Sequence, residues 1–417
     1  MKNGLICLSI VVIVVFCTLN VATASASKYS PTFHNNARHT SHHIPMAGGS
    51  TSNGVVYVGS FDHNVYALNA NTGTKVWSYT TGSAVISSPT VANGIVYIGG
   101  EDHNVYAINA TTGMKIWNYT TGNTVLSSPT VANGIVYIGS EDHNVYAINA
   151  DTGTKVWNYT TGNETSSPTV ANGIVYIGSV DYNVYAINAD TGTKVWSYTT
   201  GSPVDSSPIV ANGIVYIGSY DHNVYALDAN TGTKVWSYTT ESDVSSSPAV
   251  ANGIVYVGSK DYNIYALNVN TGARLWSYTT GGVVEFPPAI VNGIVYVGSD
   301  DHNVYALKAT TGTKVWNYTT GDFMSLWSDP TVTNGIVYIG NWDHNVYALN
   351  AATGVKVWSY ITGNFVFSSP TVVNGIVYVG SNDHNVYALN AATGLKVWSY
   401  TTGGEVYSSP AVANGIG

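Results

Sequence analysis

The residues with the most obvious chemical potential are a tripeptide that returns about every forty positions. Asp62-His63-Asn64 recurs at 102–104, 142–144, 221–223, 301–303, 343–345 and 383–385, and as Asp-Tyr-Asn at 181–183 and 261–263. A carboxylate beside an imidazole is raw material for acid–base chemistry and for metal binding. Both uses meet a physical objection. A catalytic group breaks a repeat, whereas Asp62, Asp102, Asp142 and their equivalents obey it. No convergent acid, base and nucleophile set accompanies them, so no catalytic residue is assigned and the chain reads as a non-enzyme. A metal needs ligands at about 2.0–2.1 Å, and equivalent turns of different repeat units lie several times farther apart. The seven His therefore read as turn residues, with no metal and no cofactor expected.

The element that carries the tripeptide is part of a longer repeat. Asn-Gly recurs with its Asn at 53, 93, 133, 172, 212, 252, 292, 334, 374 and 414, in steps of 39 to 42 residues, and nine Trp from Trp77 to Trp398 follow in register. Self-similarity at this period marks a repeat architecture. The unit from Ser127 to Asn163 divides by its turns into four short strands: A (Ser128 to Ala132), B (Ile135 to Gly139), C (Val145 to Asn149) and D (Lys155 to Thr160). Asn133-Gly134 is a hairpin signal because a type I′ turn needs positive φ at both central residues. Strands B and C are continuous apolar runs, as expected when both faces of a sheet are covered. Strand D alternates and should lie outermost. Four-stranded antiparallel sheets covered by their neighbours on both faces predict an all-β fold, a single β-propeller. Nine B-C-D sets start at Asn53, but the first lacks a strand A, and the last strand A, Ser408 to Ala413, has no partners after it. Pairing the two ends closes nine blades; the alternatives are an eight-bladed ring with an extra unit, or a chain cut short at Gly417.

The pattern Val56 to Trp77, VYVGS-x-D-x-x-x-YAL-N-A-x-TG-x-x-x-W, resembles the PQQ-like repeat of bacterial and archaeal β-propellers, and Tyr29 to Phe33 with Arg38 to Thr40 is similar to the lead-in of such proteins. That family includes quinone-dependent dehydrogenases, the outer-membrane scaffold that helps insert barrel proteins, and archaeal cell-surface proteins. The resemblance implies that each Trp docks on backbone of the next blade near its Thr-Gly turn. It also brings out departures. Family members commonly have Gly after the turn Asp, where this chain has His or Tyr. The adjacent cysteines of the dehydrogenases are absent, and so is the extra outer strand that usually ends the lead-in, between Thr40 and Asn53.

Composition narrows the function classes. Only 9% of residues are charged and the net charge is −9, with Lys spread once per unit, which argues against a nucleic-acid partner. Lys2, an apolar run from Leu5 to Cys17 and Ala24-Ser25-Ala26 read as a secretory signal over 1–26, followed by a polar lead-in at 27–52 and the propeller at 53–417. The apolar run is too short to span a bilayer comfortably, although retention as an anchor stays open. Both cysteines, Cys7 and Cys17, lie inside it. Asn109, Asn118, Asn158, Asn163 and Asn317 each begin an Asn-x-Thr glycosylation signal, in keeping with a secreted or cell-surface glycoprotein.

Nine copies in one chain allow an internal comparison. Two stretches differ most: the residue before the turn Asp (Phe61, Glu101, Glu141, Val180, Tyr220, Lys260, Asp300, Trp342, Asn382), and the connection from strand D to the next strand A. In a propeller the B–C and D–A loops emerge on one face. Glu285, Phe286, Asp322, Phe323, Trp327, Trp342, Phe365, Phe367 and Tyr407 cluster in the last units and form the candidate ligand site. Aromatics beside carboxylates suit a surface glycan or a protein partner. Three alternatives stand beside this expectation: the same side chains fold into the central channel and plug it, the chain is a structural surface coat without a specific ligand, or, as the resemblance allows, it is a quinone-dependent dehydrogenase.

Overall fold

The computed structural model describes residues 54–321 and 328–414. Every secondary-structure element among them is a strand, 36 in all, arranged as nine four-stranded antiparallel sheets. Blade 1 holds β1 (Gly54–Gly59), β2 (Asn64–Asn69) and β3 (Lys75–Thr80). Blades 2 to 9 follow in chain order, β4 (Thr90–Ala92) to β7 (Lys115–Thr120) forming blade 2 and β32 (Thr371–Val373) to β35 (Lys396–Thr401) blade 9. The last strand, β36 (Ala411–Asn414), pairs with β1 through Val55↔Ala413, Val56↔Val412 and Tyr57↔Ala411. The ring is therefore closed at nine by the two ends of the repeat region, and blade 1 has no open inner edge.

Turn chemistry fixes each blade. Eight Asn-Gly turns have the predicted pair of positive φ values, as at Asn93 (φ 50°) and Gly94 (φ 75°). The residue after each turn Asp also lies in the left-handed region, from His103 (φ 67°) to Tyr182 (φ 76°). That is the reason glycine suits this position, and why His and Tyr there carry backbone strain. In every blade the C–D pairing shifts register, so that Ala67 faces Trp77 while Leu68 faces Lys75. The bulge turns Lys75 and Val76 both to solvent and leaves Trp77 buried, which simple alternation along strand D does not anticipate. Strand A is shorter than expected, three residues at Thr130–Ala132. The serines before it bond to the neighbouring blade instead: Ser88 N–H donates to Ser128 Oγ, Ser369 N–H to Ser409 Oγ and Ser409 N–H to Ser88 Oγ.

The core is nine layers between blades rather than one centre. Val55, Tyr57, Val65, Ala67 and Trp77 of blade 1 pack on Val96, Ile98, Tyr106 and Ile108 of blade 2, and an equivalent layer joins blade 9 to blade 1. Each Trp donates its indole N–H to a carbonyl of the next blade, from Trp77 to Ala110 O (2.9 Å) round to Trp398 to Ala70 O (2.8 Å). The ring also lies over the Thr-Gly turn so closely that a Cβ on Gly113 would stand 2.6 Å from Trp77 Cγ. The docking that the resemblance implied is present at all nine junctions.

Candidate functional site

The repeated Asp is a structural latch. Asp62 Oδ1 accepts the Asn64 amide, and Oδ2 accepts the Tyr66 hydroxyl (2.6 Å) and the Gly403 amide (2.5 Å) of blade 9. Burial pushes its carboxyl up, and the bonds from Tyr66, Gly403, Asn64 and Ser60 outweigh that and hold it below the usual range. The same latch recurs, as at Asp142 with Tyr146 and Gly122. The His carbonyl, rather than its ring, ties the turn down: Thr81 donates both its amide and its hydroxyl to His63 O. Among the described residues no group of three His, Cys, Asp or Glu lies close enough to hold a metal ion.

The two variable stretches do share one face. Val85 N–H donates to Ser60 O, Phe61 N–H to Glu405 O and Glu101 N–H to Ala84 O, and in blades 1, 2, 4, 5, 6 and 9 the B–C turn is stitched in this way to the D–A loops on both sides. The residue after the loop valine, three before the strand A proline, forms a ring of its own around the channel mouth: Ile86, Leu126, Asp205, Ser245, Glu285, Phe367 and Tyr407. In the loop at 161–168 one residue is missing, Thr165 takes the valine position against Gly139, and a cleft with room for about one water opens between Leu126, Glu141 and Glu164.

This ring is split by polarity. On one side an aromatic arc runs from Phe61 to Tyr407 (4.5 Å between centroids), Tyr407 to Phe367 (5.0 Å) and Phe367 to Trp342 (5.3 Å). Phe365 packs on Trp342 (5.0 Å) and against His344 (5.2 Å). Ile86 and Leu126 extend the arc beyond Phe61. On the other side Lys260 Nζ lies 3.2 Å from Glu285 Oε1 and 3.9 Å from Asp243 Oδ2, over the Tyr220 ring, while Tyr220 donates to Asp205 (3.0 Å). Burial and the charge of Glu141 both raise the Glu101 carboxyl, partly offset by His63.

Of the nine predicted site residues, Trp342, Phe365, Phe367 and Tyr407 are brought together and Glu285 sits across the mouth paired to Lys260. Phe286 is buried and occupies a serine position of the inner wall, where its carbonyl accepts the Ser246 hydroxyl; the expectation that it is presented on the face is corrected. Phe367 is mostly buried too. Asp322, Phe323 and Trp327 lie outside the described residues. Sequence reasoning placed Phe61, which leads the arc, among the variable residues but outside the candidate site, and it did not single out Asp329. Asp329 replaces a serine of the inner wall, is buried, and has one carboxylate oxygen, Oδ2, without a hydrogen-bond partner among the described residues. Burial pushes its carboxyl up to about 7 against a smaller lowering by Ser369. Aligning the nine copies on their Ser-Ser-Pro segment exposes it.

Fold and loop face together define a closed nine-bladed propeller whose blades carry one common latch and whose channel mouth is varied. A family model described as outer membrane protein assembly factor BamB matches residues 30–130 and 121–207, and one described as the β-propeller of beta-alanine-activating enzyme matches 214–415. The family-model match over residues 30–207 and the propeller fold agree with a PQQ-like repeat β-propeller. Solved structures similar to it include BamB from Moraxella catarrhalis (TM-score 0.59, 19% identity, 74% of this chain and 92% of that one) and the computationally designed protein Ika8 (0.60, 19%, 76% and 96%). The quinohemoprotein alcohol dehydrogenase ADHIIG from Pseudomonas putida HK5 is a third (0.57, 17%, 72% and 69%). At these identities the likeness carries the fold alone. No curated protein matches the chain.

Proposed function

We propose that this protein is an exported or cell-surface binding propeller, a scaffold that recognises a protein or a glycan through its B–C/D–A loop face, with residues 1–26 serving as a removable signal. The observation that carries the reading is the aromatic arc from Trp342 and Phe365 through Phe367 and Tyr407 to Phe61, set across the channel mouth from Asp205, Asp243 and Glu285. A stacking surface opposite carboxylates gives a ligand an apolar face and hydrogen-bond acceptors at once. The use made of the acids supports binding rather than catalysis: the repeated Asp are spent on the latches between blades. The match to a barrel-assembly factor model supports a protein partner.

The test replaces Phe323, Trp327 and Phe365 by alanine, and separately Trp342 and Phe365, and measures glycan-array binding and pull-down. Loss of binding with thermal stability nearly unchanged is the expected result. Unchanged binding in both variants sinks the proposal.

A further inference from the structure

The opposite face, built by the A–B and C–D turns, is polarised in a way the loop-face reading does not use. These turns are stitched together, Ala110 N–H donating to Gly94 O and Ala70 N–H to Gly54 O, so they share one rim of the ring. Each C–D turn ends in a cation that begins strand D, nine in all from Lys75 to Lys396, all exposed. The residue just before it is Thr in five blades and Ala in a sixth, but Met114 in blade 2, Val355 in blade 8 and Leu395 in blade 9. These three side chains are 70%, 65% and 70% exposed. With blade 1 between blades 9 and 2, they fall on a single arc. The acids of the same turns, Asp151, Asp190 and Asp228, fall on blades 3, 4 and 5, outside that arc, with blade 3 bordering it. On the arc the equivalent positions hold Asn71, Thr111, Ala352 and Ala392 instead, and blade 7 adds Lys308.

We propose that this arc, blades 7 to 9 with 1 and 2, docks on an anionic lipid surface. Long-range attraction comes from Lys308, Lys314, Lys356, Lys396, Lys75 and Lys115, with no acid in their C–D turns. Met114, Val355 and Leu395 then enter the interface between headgroups and chains. A flat, compliant partner suits them better than a folded protein. Equivalent positions on a closed ring lie in one plane, and the three apolar side chains are separated from one another by lysines instead of lining a groove. The net charge of −9 does not oppose docking, because attraction falls off within a Debye length and this arc is locally cationic. Docked so, the ring holds its loop face away from the membrane.

Flotation of the full chain with vesicles of phosphatidylcholine, with and without phosphatidylglycerol, tests this. The variant Met114→Thr, Val355→Thr, Leu395→Thr installs the residue that five other blades already carry, so its fold is kept; an unchanged melting temperature checks that. The wild type should float with the anionic vesicles only, be released by salt, and bind about tenfold more than the variant. The Leu5 to Cys17 run is common to both chains, so the difference between them is the readout. Hydrogen exchange supplies the local one, with vesicle-induced protection expected at 110–116, 351–357 and 391–397. Equal flotation of variant and wild type, no protection in those turns, or self-association that vesicles do not alter would each overturn the proposal. Competition by duplex DNA that also binds the variant as well as the wild type would reduce the arc to a bare cationic patch and overturn it too.

Discussion

Replacing Asp329 by serine should stabilise this propeller at neutral and alkaline pH and do almost nothing in acid. Serine stands at the equivalent position in seven blades, so the substitution restores the repeat. Asp329 is buried, one of its carboxylate oxygens has no partner among the described residues, and its carboxyl is pushed up to about 7 in the fold, against about 3.9 for an unfolded Asp. The folded state therefore binds the proton more tightly than the unfolded one. The stability tied to this group is fully present below about pH 4 and is lost as pH rises through about 7. A displacement of about 3 units corresponds to roughly 4 kcal/mol at most. Spread over a ring of roughly 360 residues, whose unfolding entropy is about 0.75 kcal/mol/K, that is about 5 °C in melting temperature. Asp329 N–H donates to Ser369 Oγ, and since that bond uses the backbone it survives the substitution. Differential scanning calorimetry of both chains at about pH 4 and pH 8 should show a gain for the variant only at the higher pH. A gain of equal size at both pH values, or none at either, refutes the assignment of a strained buried carboxyl.

Two further outcomes follow from the geometry. His143→Gly removes the cost of a left-handed L-residue (φ 70°) and adds glycine's backbone entropy, so the denaturant midpoint should rise, with a net gain of about 0.5–1 kcal/mol; a fall would show that the imidazole itself holds the turn. Ending the chain at Tyr407 deletes β36 and bares the inner edge of β1. Concentration-dependent association by light scattering and fast amide exchange at 54–59 are expected, whereas a monomer with β1 still protected would show that closure through β36 is dispensable.

The fold was legible because its signals are local and multiplied by nine. Asn93-Gly94 can hardly be anything but a tight hairpin, and the unpaired Ser408 to Ala413 pointed to its own partner. What escaped notice depends on neighbours. Strand A looked longer because Ser128 resembles a strand residue, yet Ser128 N–H bonds to Ser167 of the next blade, and Pro129 has no N–H to offer. The bulge at Lys75 and Val76 follows from Trp77 being drawn onto Gly113, a contact between blades that a single unit does not contain. Residue type found the aromatic arc, since Trp342, Phe365 and Tyr407 stand out in any listing of loop residues. The same criterion wrongly added Phe286, whose offset from the Ser-Ser-Pro anchor places it in the wall, and passed over Asp329, which looks ordinary until the copies are superposed.

The closure of the ring raises the matter of what counts the blades. The strand that completes blade 1 reads Ala411-Val412-Ala413, and the same three residues stand at Ala249 to Ala251 in blade 6. Nothing in its side chains gives it an address, and β1 could accept an earlier copy in the same register. The number nine is therefore written in an angle. At every junction a tyrosine of one outer strand meets a tyrosine of the next blade with ring centroids 5.3–5.7 Å apart. Nine near-identical wedges leave the two ends meeting without gap or overlap. A gene that gained or lost one repeat would keep every local contact it encodes and fail only at the seam, where the circle would no longer close.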